Sequence, residues 1–505
     1  MPNLEPCEPL LTTWGYTEMV DTAAPAQEQE KYQETELLSS ERYTSREQLA
    51  IENELLWPRV WQMAGREEDI PNVGDVLEYT IGDQSYLLVR DDDQSVKAFH
   101  NSCMHRGTLL VEGRGNVNDM PCSPGNESKI QCHFHGWAYN LDGSIHFVPG
   151  RSDFAPGMLD DDDIHLRDVA VGTWGGFIFI NPDKNAGSLE DWLGPIPDQL
   201  ARFNIDQMRT ARHQSIVVDA NWKLAVEQFH ENYHAWITHI VDINDIGSPA
   251  TGAGGRQAGQ EGAGRGGGVP PAAIMNMFAY ELHPPHSVFY QLAWENTAGL
   301  PPVPIGQLGP DPRGFIRGGL DYMAHNRRIA SYEIEYFDSL SDGDMPLDLT
   351  GPYFLVWLRR EACKAQGIDL SQIEDREMFG FPVEFLIFPN VTGPVAGNSF
   401  LNLRMRPNGM DPDTCIFEIR SMFLYPEGKA PEPERDFIAD WEANRDRIPV
   451  EFLQDFSMYR KIQQGFHQRS FAGSRLNRQE HNDRVFERTI DAYLNGQGKK
   501  GAKKR

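Results

Sequence analysis

The stretch Gln131–Trp137 reads QCHFHGW and brings one thiol and two imidazoles within four residues. A related stretch lies upstream, where Asn101–Gly107 reads NSCMHRG. The two stretches combine the spacings C-x-H and C-x-x-H and supply four metal-ligand candidates: Cys103, His105, Cys132 and His135. Two thiolates and two imidazoles can hold tetrahedral zinc, or a [2Fe–2S] cluster with two histidines on one iron. The ligand types alone leave both possibilities open.

The residues around both motifs resemble the Rieske [2Fe–2S] domain. Residues 103–115, CMHRGTLLVEGRG, and residues 132–144, CHFHGWAYNLDGS, are similar to the two cluster-binding loops of that family. The resemblance implies a cluster held by the four candidates above, with His133 at a non-ligand position. Two histidine ligands raise the reduction potential relative to that of an all-cysteine cluster. The segment 117–130 looks longer than is usual between these loops, and we interpret it as a surface excursion with Cys122 unligated.

A second group of metal-ligand candidates lies in residues 221–239, NWKLAVEQFHENYHAWITH. Two histidines and one carboxylate on one face of an iron leave positions open for O₂ and substrate, as in non-haem Fe(II) oxygenases. His230 and His234 are four residues apart and would share a helix face, so helical geometry alone favours that pair. His234 and His239 are five apart, about 140° round an α-helix, and can converge only where the helix ends or bulges between them.

The same run closely resembles the catalytic-iron segment of the large subunits of Rieske ring-hydroxylating oxygenases. In that family the ligands are the two histidines of the pattern Y-H-x-x-x-x-H. The resemblance therefore implies His234 and His239 as iron ligands here, and it leaves His230 as a histidine on a helix face.

The third iron ligand is expected from a distant acid. The late segment Phe452–Phe466 is similar to the Asp-then-Gln-Gly segment of the family, which implies Asp455. An acid among apolar neighbours needs a partner when it is buried, and iron would supply one. Glu451 is the competing acid.

The resemblance also assigns a role to the acid three residues before His234. In the family this acid, usually Asp, joins the first iron-ligand histidine to a Rieske histidine across a subunit boundary. Here it is Glu231, whose side chain is one methylene longer. The resemblance implies that Glu231 accepts hydrogen bonds from His234 and from His135 of the partner subunit, since carboxylates commonly orient metal-bound imidazoles. Gln228 also departs from the family, which commonly has Asn there.

Composition and charge restrict the class of protein. A chain of 505 residues exceeds the size of one hydrophobic core, and its net charge of −28 argues against nucleic acid or anionic membranes as partners. Six cysteines are too few for a disulfide scaffold and suit a reducing compartment. No apolar run approaches the ~18 residues of a membrane span, and the N-terminal residues do not form a secretory signal. We expect a cytoplasmic protein.

The periodicity of the sequence predicts an α+β fold. A helical pattern over residues 43–63 gives way to short alternating segments, typical of antiparallel β structure, up to about residue 182. The rest is mixed, with helices predicted over 222–234 and 433–466 and strand-like runs at 287–292, 383–388 and 415–419. The resemblance implies a β-rich Rieske domain before a helix-grip-like, antiparallel-sheet catalytic domain. The predicted divisions are an N-terminal extension and helix (1–56), a Rieske domain (57–185), a catalytic non-haem iron domain (186–490) and a disordered basic tail (491–505).

The function implied by the resemblance is that of an oxygenase component with a [2Fe–2S] cluster and a mononuclear Fe(II). The glycines of residues 262–267 fit G-x-G-x-x-G but neither follow a strand nor open a helix, so no dinucleotide site is expected. Electrons would then come from a separate ferredoxin or flavin reductase. We expect mono- or dioxygenation of an apolar aromatic or polycyclic substrate by a homotrimer, with or without a beta subunit. The alternative is a Rieske-type electron carrier without oxygenase activity; a zinc protein, the second alternative, would be colourless.

Overall fold

The computed structural model describes residues 36–119, 128–231, 233–239, 278–291, 303–379 and 383–496. The predictions on Cys122, on the glycine-rich segment and on most of the N-terminal extension and basic tail lie outside these residues. The predicted domain boundaries stay predictions. One of them, at residues 490/491, is crossed by a helix that ends at Leu494.

The first region is built from short strands in three small sheets. Strands β3 to β6 form a four-stranded sheet in the order β5-β4-β3-β6, β2 joins β10 and β11, and β7 to β9 form the third sheet. Their bounds are β2 Gln62–Arg66, β3 Asp75–Ile81, β4 Gln84–Arg90, β5 Val96–His100, β6 Arg114–Asn116, β7 Ile130–Gln131, β8 Ala138–Tyr139, β9 Ile145–Phe147, β10 Ala170–Trp174 and β11 Phe177–Asn181.

The second region is organised around one eight-stranded sheet in the order β13-β14-β15-β16-β17-β18-β12-β19. Every pair of neighbours in this sheet is antiparallel except β12 and β19, which are parallel. The strands are β12 Met208–Val218, β13 Phe278–His283, β14 His286–Gln291, β15 Val383–Ile387, β16 Val391–Ala396, β17 Ser399–Asn408, β18 Asp411–Leu424 and β19 Glu434–Ile438. A two-residue strand before the first region, β1 (Leu38–Ser39), pairs with β20 (Gly473–Ser474).

Helices cover both faces of the large sheet. They are α1 Glu41–Thr44, α2 Arg46–Leu55, α3 Leu189–Leu193, α4 Ile196–Leu200, α5 Trp222–Glu227, α6 Ala235–Thr238, α7 Pro312–His325, α8 Ser331–Ser339, α9 Gly351–Ala365, α10 Val450–Phe466 and α11 His481–Leu494. One core lies between the sheet and α7, α8 and α9. The other joins the opposite sheet face to α2, α5, α10, α11 and the first region. The α+β prediction is confirmed.

Three arginines of β17 and β18 tie the large sheet to the first region. Arg404 donates to the carbonyl of Met63, and Arg406 donates to the carbonyl of Thr80 at 3.0 Å. Arg420 donates to a carboxylate oxygen of Asp69 at 2.9 Å. All three arginines are largely buried. Since each bond crosses from one region to the other, the two regions pack as a continuous interface.

Three predicted helices are shorter than their sequence patterns indicate. The pattern over 43–63 yields α1 and α2, which end by Leu55, and β2 begins at Gln62. The predicted helix 433–466 begins only at Val450, because its first residues form β19 beside β12. The predicted helix 222–234 ends at Glu227. None of the helices within the described ranges is long and apolar enough to cross a membrane.

Candidate active site

The two Cys/His motifs fold into matching loops, one after β5 and one between β7 and β8. In each loop the cysteine carbonyl accepts a hydrogen bond from the amide four residues later, at 2.9 Å from Gly107 and 3.0 Å from Gly136. These glycines have φ values of +74° and +75°, which strain any residue with a Cβ. The sequence therefore forms the same tight turn twice, with Cys103 and Cys132 at equivalent positions.

The four candidate ligands divide into an inner and an outer pair. Cys103 and Cys132 are 3% and 2% exposed, whereas His105 is half-buried and His135 is exposed, with their ring centroids 4.6 Å apart. Two buried thiols and two more accessible imidazoles on adjacent loops would suit a [2Fe–2S] cluster with mixed cysteine and histidine ligands. His133 is exposed.

Tyr139 supports the inner pair from β8. Its hydroxyl oxygen lies 3.4 Å from Sγ of Cys103 and accepts a hydrogen bond from the Met104 amide at 3.0 Å. The outer pair is supported by Trp137, whose ring stacks on His105 at 5.1 Å. The protein thus fixes both sides of the site with aromatic side chains.

The second group of ligands depends on where a helix ends. The Asn221 side chain accepts from the Lys223 amide and begins α5, which stops at Glu227. The chain then turns and forms the single-turn helix α6, with His234 at its N-cap and His239 at its C-cap. The helix break thus lies between His230 and His234, whereas His234 and His239 flank one α-helical turn whose amides at Thr238 and His239 donate to the carbonyls of His234 and Ala235. The expected bulge between His234 and His239 is not present.

The structure brings His234, His239 and Asp455 together. One possible ligand atom from each lies within 4.8 Å of the others, and this is the metal-capable group of histidine, cysteine or acidic residues found in the described ranges. Nε2 of His239 is 3.3 Å and Nε2 of His234 is 3.9 Å from Oδ1 of Asp455. Two imidazoles and one carboxylate fit a non-haem iron with open positions.

Both imidazoles are held by their other ring nitrogen. Nδ1 of His234 lies 2.5 Å from Oε1 of Glu231, and Nδ1 of His239 lies 2.6 Å from Oε1 of Gln454. Because these oxygens accept, both Nδ1 atoms donate and both Nε2 lone pairs face Asp455. Glu231 is buried and also accepts from the backbone amides of Tyr233 and His234. Although burial opposes it, Glu231 raises the pKa of His234.

Asp455 lies on α10 and is 2% exposed. Gln228, which precedes α6, donates from Nε2 to Oδ1 of Asp455 at 2.6 Å. Burial raises the pKa of Asp455 to about 6, against the opposing effects of His239 and His234. A buried carboxyl of this kind gains a great deal from a bound cation.

The two competing candidates lie elsewhere. His230 is 1% exposed, contacts the ring of Phe486 edge-on at 5.2 Å and lies 3.7 Å from Asp483, so it is a buried residue rather than a helix-face histidine. Glu451 forms an ion pair with Arg328. Neither belongs to the group around Asp455.

Several residues near the site were not singled out from the sequence. Gln454 and Tyr139 gave no signal, and Gln228 was noted only as a departure from the family. Glu384 on β15 sits inside the apolar run VEFLIF, yet it is a buried acid. Burial raises the pKa of Glu384 to about 8, against the opposing charges of Arg328 and His234.

Comparison with known proteins identifies the two regions as known domains. A family model described as the Rieske [2Fe-2S] domain matches residues 60–158, and one described as the ring hydroxylating alpha subunit (catalytic domain) matches residues 205–301 and 356–496. The first domain is β-rich and carries the paired Cys/His loops, and the second combines a sheet with helices and carries the His/His/Asp group. Together these domains define a class of proteins with two iron sites. The chain belongs to the Rieske ring-hydroxylating oxygenase alpha subunits. The predicted cofactors, a [2Fe–2S] cluster and a mononuclear iron, are those of its two domains.

Similar proteins act on different kinds of substrate. The chain is 33% identical over 201 residues to the glycine betaine monooxygenase oxygenase subunit of Chromohalobacter salexigens, covering 39% of this chain and 42% of that protein. It is 31% identical over 231 residues to biphenyl 2,3-dioxygenase subunit alpha of Rhodococcus jostii, covering 42% and 47%. These matches thus span less than half of each relative. The quaternary ammonium Rieske monooxygenase CntA, solved with L-carnitine, shares the fold with a TM-score of 0.57, 16% identity, and coverage of 91% of this chain and 95% of that one.

Proposed function

We propose that this chain is the oxygenase component of a Rieske non-haem iron system, which oxygenates an organic substrate with O₂ and externally supplied electrons. The observation that carries the proposal is the convergence of His234, His239 and Asp455, with both Nε2 atoms directed at one carboxylate. A carrier of electrons alone would not need this second group. The proposed cluster ligands are Cys103, His105, Cys132 and His135.

The residues of the chain hold the two metal sites in working geometry. When bound, the cluster supplies electrons one at a time, and the mononuclear iron supplies the activation of O₂. Glu231 and Gln454 fix the imidazole orientations, and Gln228 fixes the Asp455 carboxylate. Phe452 and Phe456 of α10 are close to Asp455 in sequence and pack in the hydrophobic core, which anchors the helix that carries this carboxylate.

The proposed assembly depends on the exposure of one cluster-ligand histidine. His135 lies at the surface, where another protein chain can reach it. We propose that Glu231 of one subunit accepts a hydrogen bond from His135 of the partner subunit in a homotrimer, as the family resemblance implies. A separate ferredoxin or flavin reductase would supply the electrons. Sedimentation equilibrium of the purified protein tests the trimer.

The substrate belongs to one of two classes. The sequence predicts an apolar aromatic or polycyclic compound, and biphenyl 2,3-dioxygenase is a relative that supports it. Glycine betaine monooxygenase supports a quaternary ammonium compound instead. Both classes are compatible with the same pair of metal sites, because the metals supply the chemistry and the protein supplies orientation.

Iron analysis of two variants of helix α10 tests the proposal. We expect about three irons per chain in the wild-type protein and about two in Asp455→Ala, with the Rieske signal in electron paramagnetic resonance unchanged. Glu451→Ala is the matched control and should keep about three. O₂-dependent product formation with a surrogate reductase should vanish in Asp455→Ala.

Two irons per chain in the wild-type protein would instead support the electron carrier. A colourless protein without the Rieske signal would support zinc. Loss of iron in Glu451→Ala but not in Asp455→Ala would reject the proposed third ligand.

A further inference from the structure

Glu384 is a buried acid on the face of the large sheet that α10, the helix of Asp455, covers. It is 3% exposed and lies on β15, where alternate side chains point to opposite faces. Its neighbours Val383 and Phe385 pack in the core beneath α7, α8 and α9, whereas Leu386 packs in the core that includes α10. Glu384 shares the face of Leu386 and therefore points toward the side of the sheet that α10 covers.

Electrostatics agree with this orientation. Burial raises the pKa of Glu384, and the charges of Arg328 and His234 oppose that rise. Glu384 is nonetheless outside the group formed by the three proposed iron ligands. It therefore lies on the side of the sheet that α10 covers and is not one of the proposed iron ligands.

The carboxyl of Glu384 is poorly satisfied by the protein. Within the described ranges, its Oε1 atom has no hydrogen-bond partner. The nearby cation, Arg328, already forms an ion pair with Glu451. An isolated carboxylate is costly to bury, and a cation that enters the site offsets that cost.

An aromatic ring lies next to this carboxyl. In the antiparallel register of β14 and β15, Phe289 is directly opposite Glu384, so the two side chains share a face with Cβ atoms about 5 Å apart. Phe289 is 2% exposed. A carboxylate beside an aromatic face suits an alkylated nitrogen, because the ring attracts a cation that cannot satisfy itself by hydrogen bonds alone.

We propose that Glu384 is the specificity-determining residue of this oxygenase and that it pairs with the positively charged nitrogen of an amine or quaternary ammonium substrate, with Phe289 against the alkyl groups of that nitrogen. This assignment rests on the proposed oxygenase function, since it places the rest of the substrate beside His234. It selects the organic cation from the two substrate classes above. The strongly negative chain, with a net charge of −28, also attracts cations over neutral compounds.

A pair of probes that differ only in charge tests the assignment. Phenyltrimethylammonium and its uncharged carbon isostere tert-butylbenzene have the same shape, and equilibrium dialysis against the iron-loaded protein gives a Kd for each. We expect the wild-type protein to bind the cation at least ~10-fold more tightly than the isostere. Glu384→Gln should raise the Kd of the cation by a similar factor and leave that of the isostere within about 2-fold, as expected when one member of a buried charge pair is removed.

Glu281→Gln is the control, because Glu281 is an exposed acid of the same sheet, and it should keep the wild-type preference. Equal binding of the two probes by the wild-type protein, tighter binding of the isostere, or no binding of either would overturn the assignment. So would a Glu384→Gln variant that keeps the preference. Iron content separates the two proposals: a fall from about three irons to about two in Glu384→Gln would make the residue part of the metal site, whereas an unchanged count leaves the oxygenase proposal intact whatever the probes do.

Discussion

Replacing Gln454 by Leu removes the acceptor that holds the imidazole of His239. The bond joins Nδ1 of His239 to Oε1 of Gln454 at 2.6 Å. Leu keeps a similar volume at this half-buried position of α10 but cannot accept a hydrogen bond. The ring of His239 would then be free to rotate, and its Nε2 atom would no longer be directed at Asp455.

The expected loss of iron affinity can be estimated from the supports of each ligand. Removing an outer hydrogen-bond partner of a metal-bound histidine costs roughly 10- to 100-fold in affinity, or about 1.4–2.7 kcal/mol. His239 ends the single-turn helix α6, and so short a helix does little to fix its side chain. His234 differs, because Glu231 holds both its ring and its backbone amide. We therefore expect Gln454→Leu to weaken the affinity for iron by about 100-fold, near the upper end of this range.

Competition for Fe(II) with a coloured chelator measures this affinity, and the Rieske signal reports that the variant is folded. Gln464→Leu is the control, since Gln464 is an exposed glutamine of the same helix and should keep the wild-type affinity. A Gln454→Leu protein that retains iron as tightly as Gln464→Leu would refute the orienting role of Gln454.

Three further predictions concern stability, pH and redox potential. Glu52→Ala should lower the free energy of unfolding by about 3–5 kcal/mol in urea denaturation, because it leaves Lys223, 2.6 Å away and fully buried, without its charge partner. Burial lowers the pKa of His230 to about 3, so below the unfolded value of about 6.5 only the unfolded chain takes up the proton. The stability advantage of the wild-type protein over His230→Leu should therefore be constant above pH 7 and about 2 kcal/mol smaller at pH 5. Tyr139→Phe should lower the reduction potential of the cluster in a titration followed by electron paramagnetic resonance, because hydrogen bonds to cluster sulfur, here Sγ of Cys103, raise it.

Each of these predictions has a contrasting case. Asp321→Ala breaks an exposed ion pair with Arg317 and should cost less than about 1 kcal/mol, so an equal effect in Glu52→Ala would contradict the buried-pair argument. A stability difference for His230→Leu that stays flat down to pH 4 would show that the histidine is not held neutral. An unchanged potential in Tyr139→Phe would mean that the hydroxyl does not act on the sulfur.

The paired Cys/His loops could be anticipated because their information is local. Ligand spacing, the following glycine and the short flanking strands all lie within a few residues of Cys103 and Cys132. The fold class and the family were predicted correctly because the strand patterns and the two ligand motifs on which they depend are also local features of the sequence. The contact between Tyr139 and Cys103 could not be predicted from the loops. It forms because the fold places β8 beside the first loop.

The pairing of His234 with His239 was less accessible from the sequence. An unbroken helix favours His230 with His234, and no glycine or proline marks the end of α5 at Glu227. Only the resemblance to the family indicated the other pair. The structure shows why local geometry misleads here: the chain turns after α5, and His230 is directed into the core against Phe486.

The choice between Asp455 and Glu451 also depends on tertiary contacts. The two acids are four residues apart on α10, so the helical pattern places them on the same side of the helix. The two acids differ in their partners. Glu451 forms an ion pair with Arg328, whereas Asp455 accepts a hydrogen bond from Gln228. The burial of Glu384 could not be predicted for a similar reason. An acid within an apolar strand can be placed on a covered or an exposed face only when the residues packed against the strand are known.

The three arginines between the large sheet and the first region have a consequence for building chimaeras. Arg404 ends on the backbone carbonyl of Met63, which a grafted domain of any sequence would present if its strands ran the same way, whereas Arg406 donates to both the carbonyl and the hydroxyl of Thr80. Arg420 ends on the side chain of Asp69, which also receives Arg435 at 2.8 Å. The neighbouring Glu68 makes a second side-chain contact of this kind, since it accepts from the amide and the hydroxyl of Thr210. A Rieske module transplanted from another oxygenase should therefore dock best when it carries acids at both positions 68 and 69.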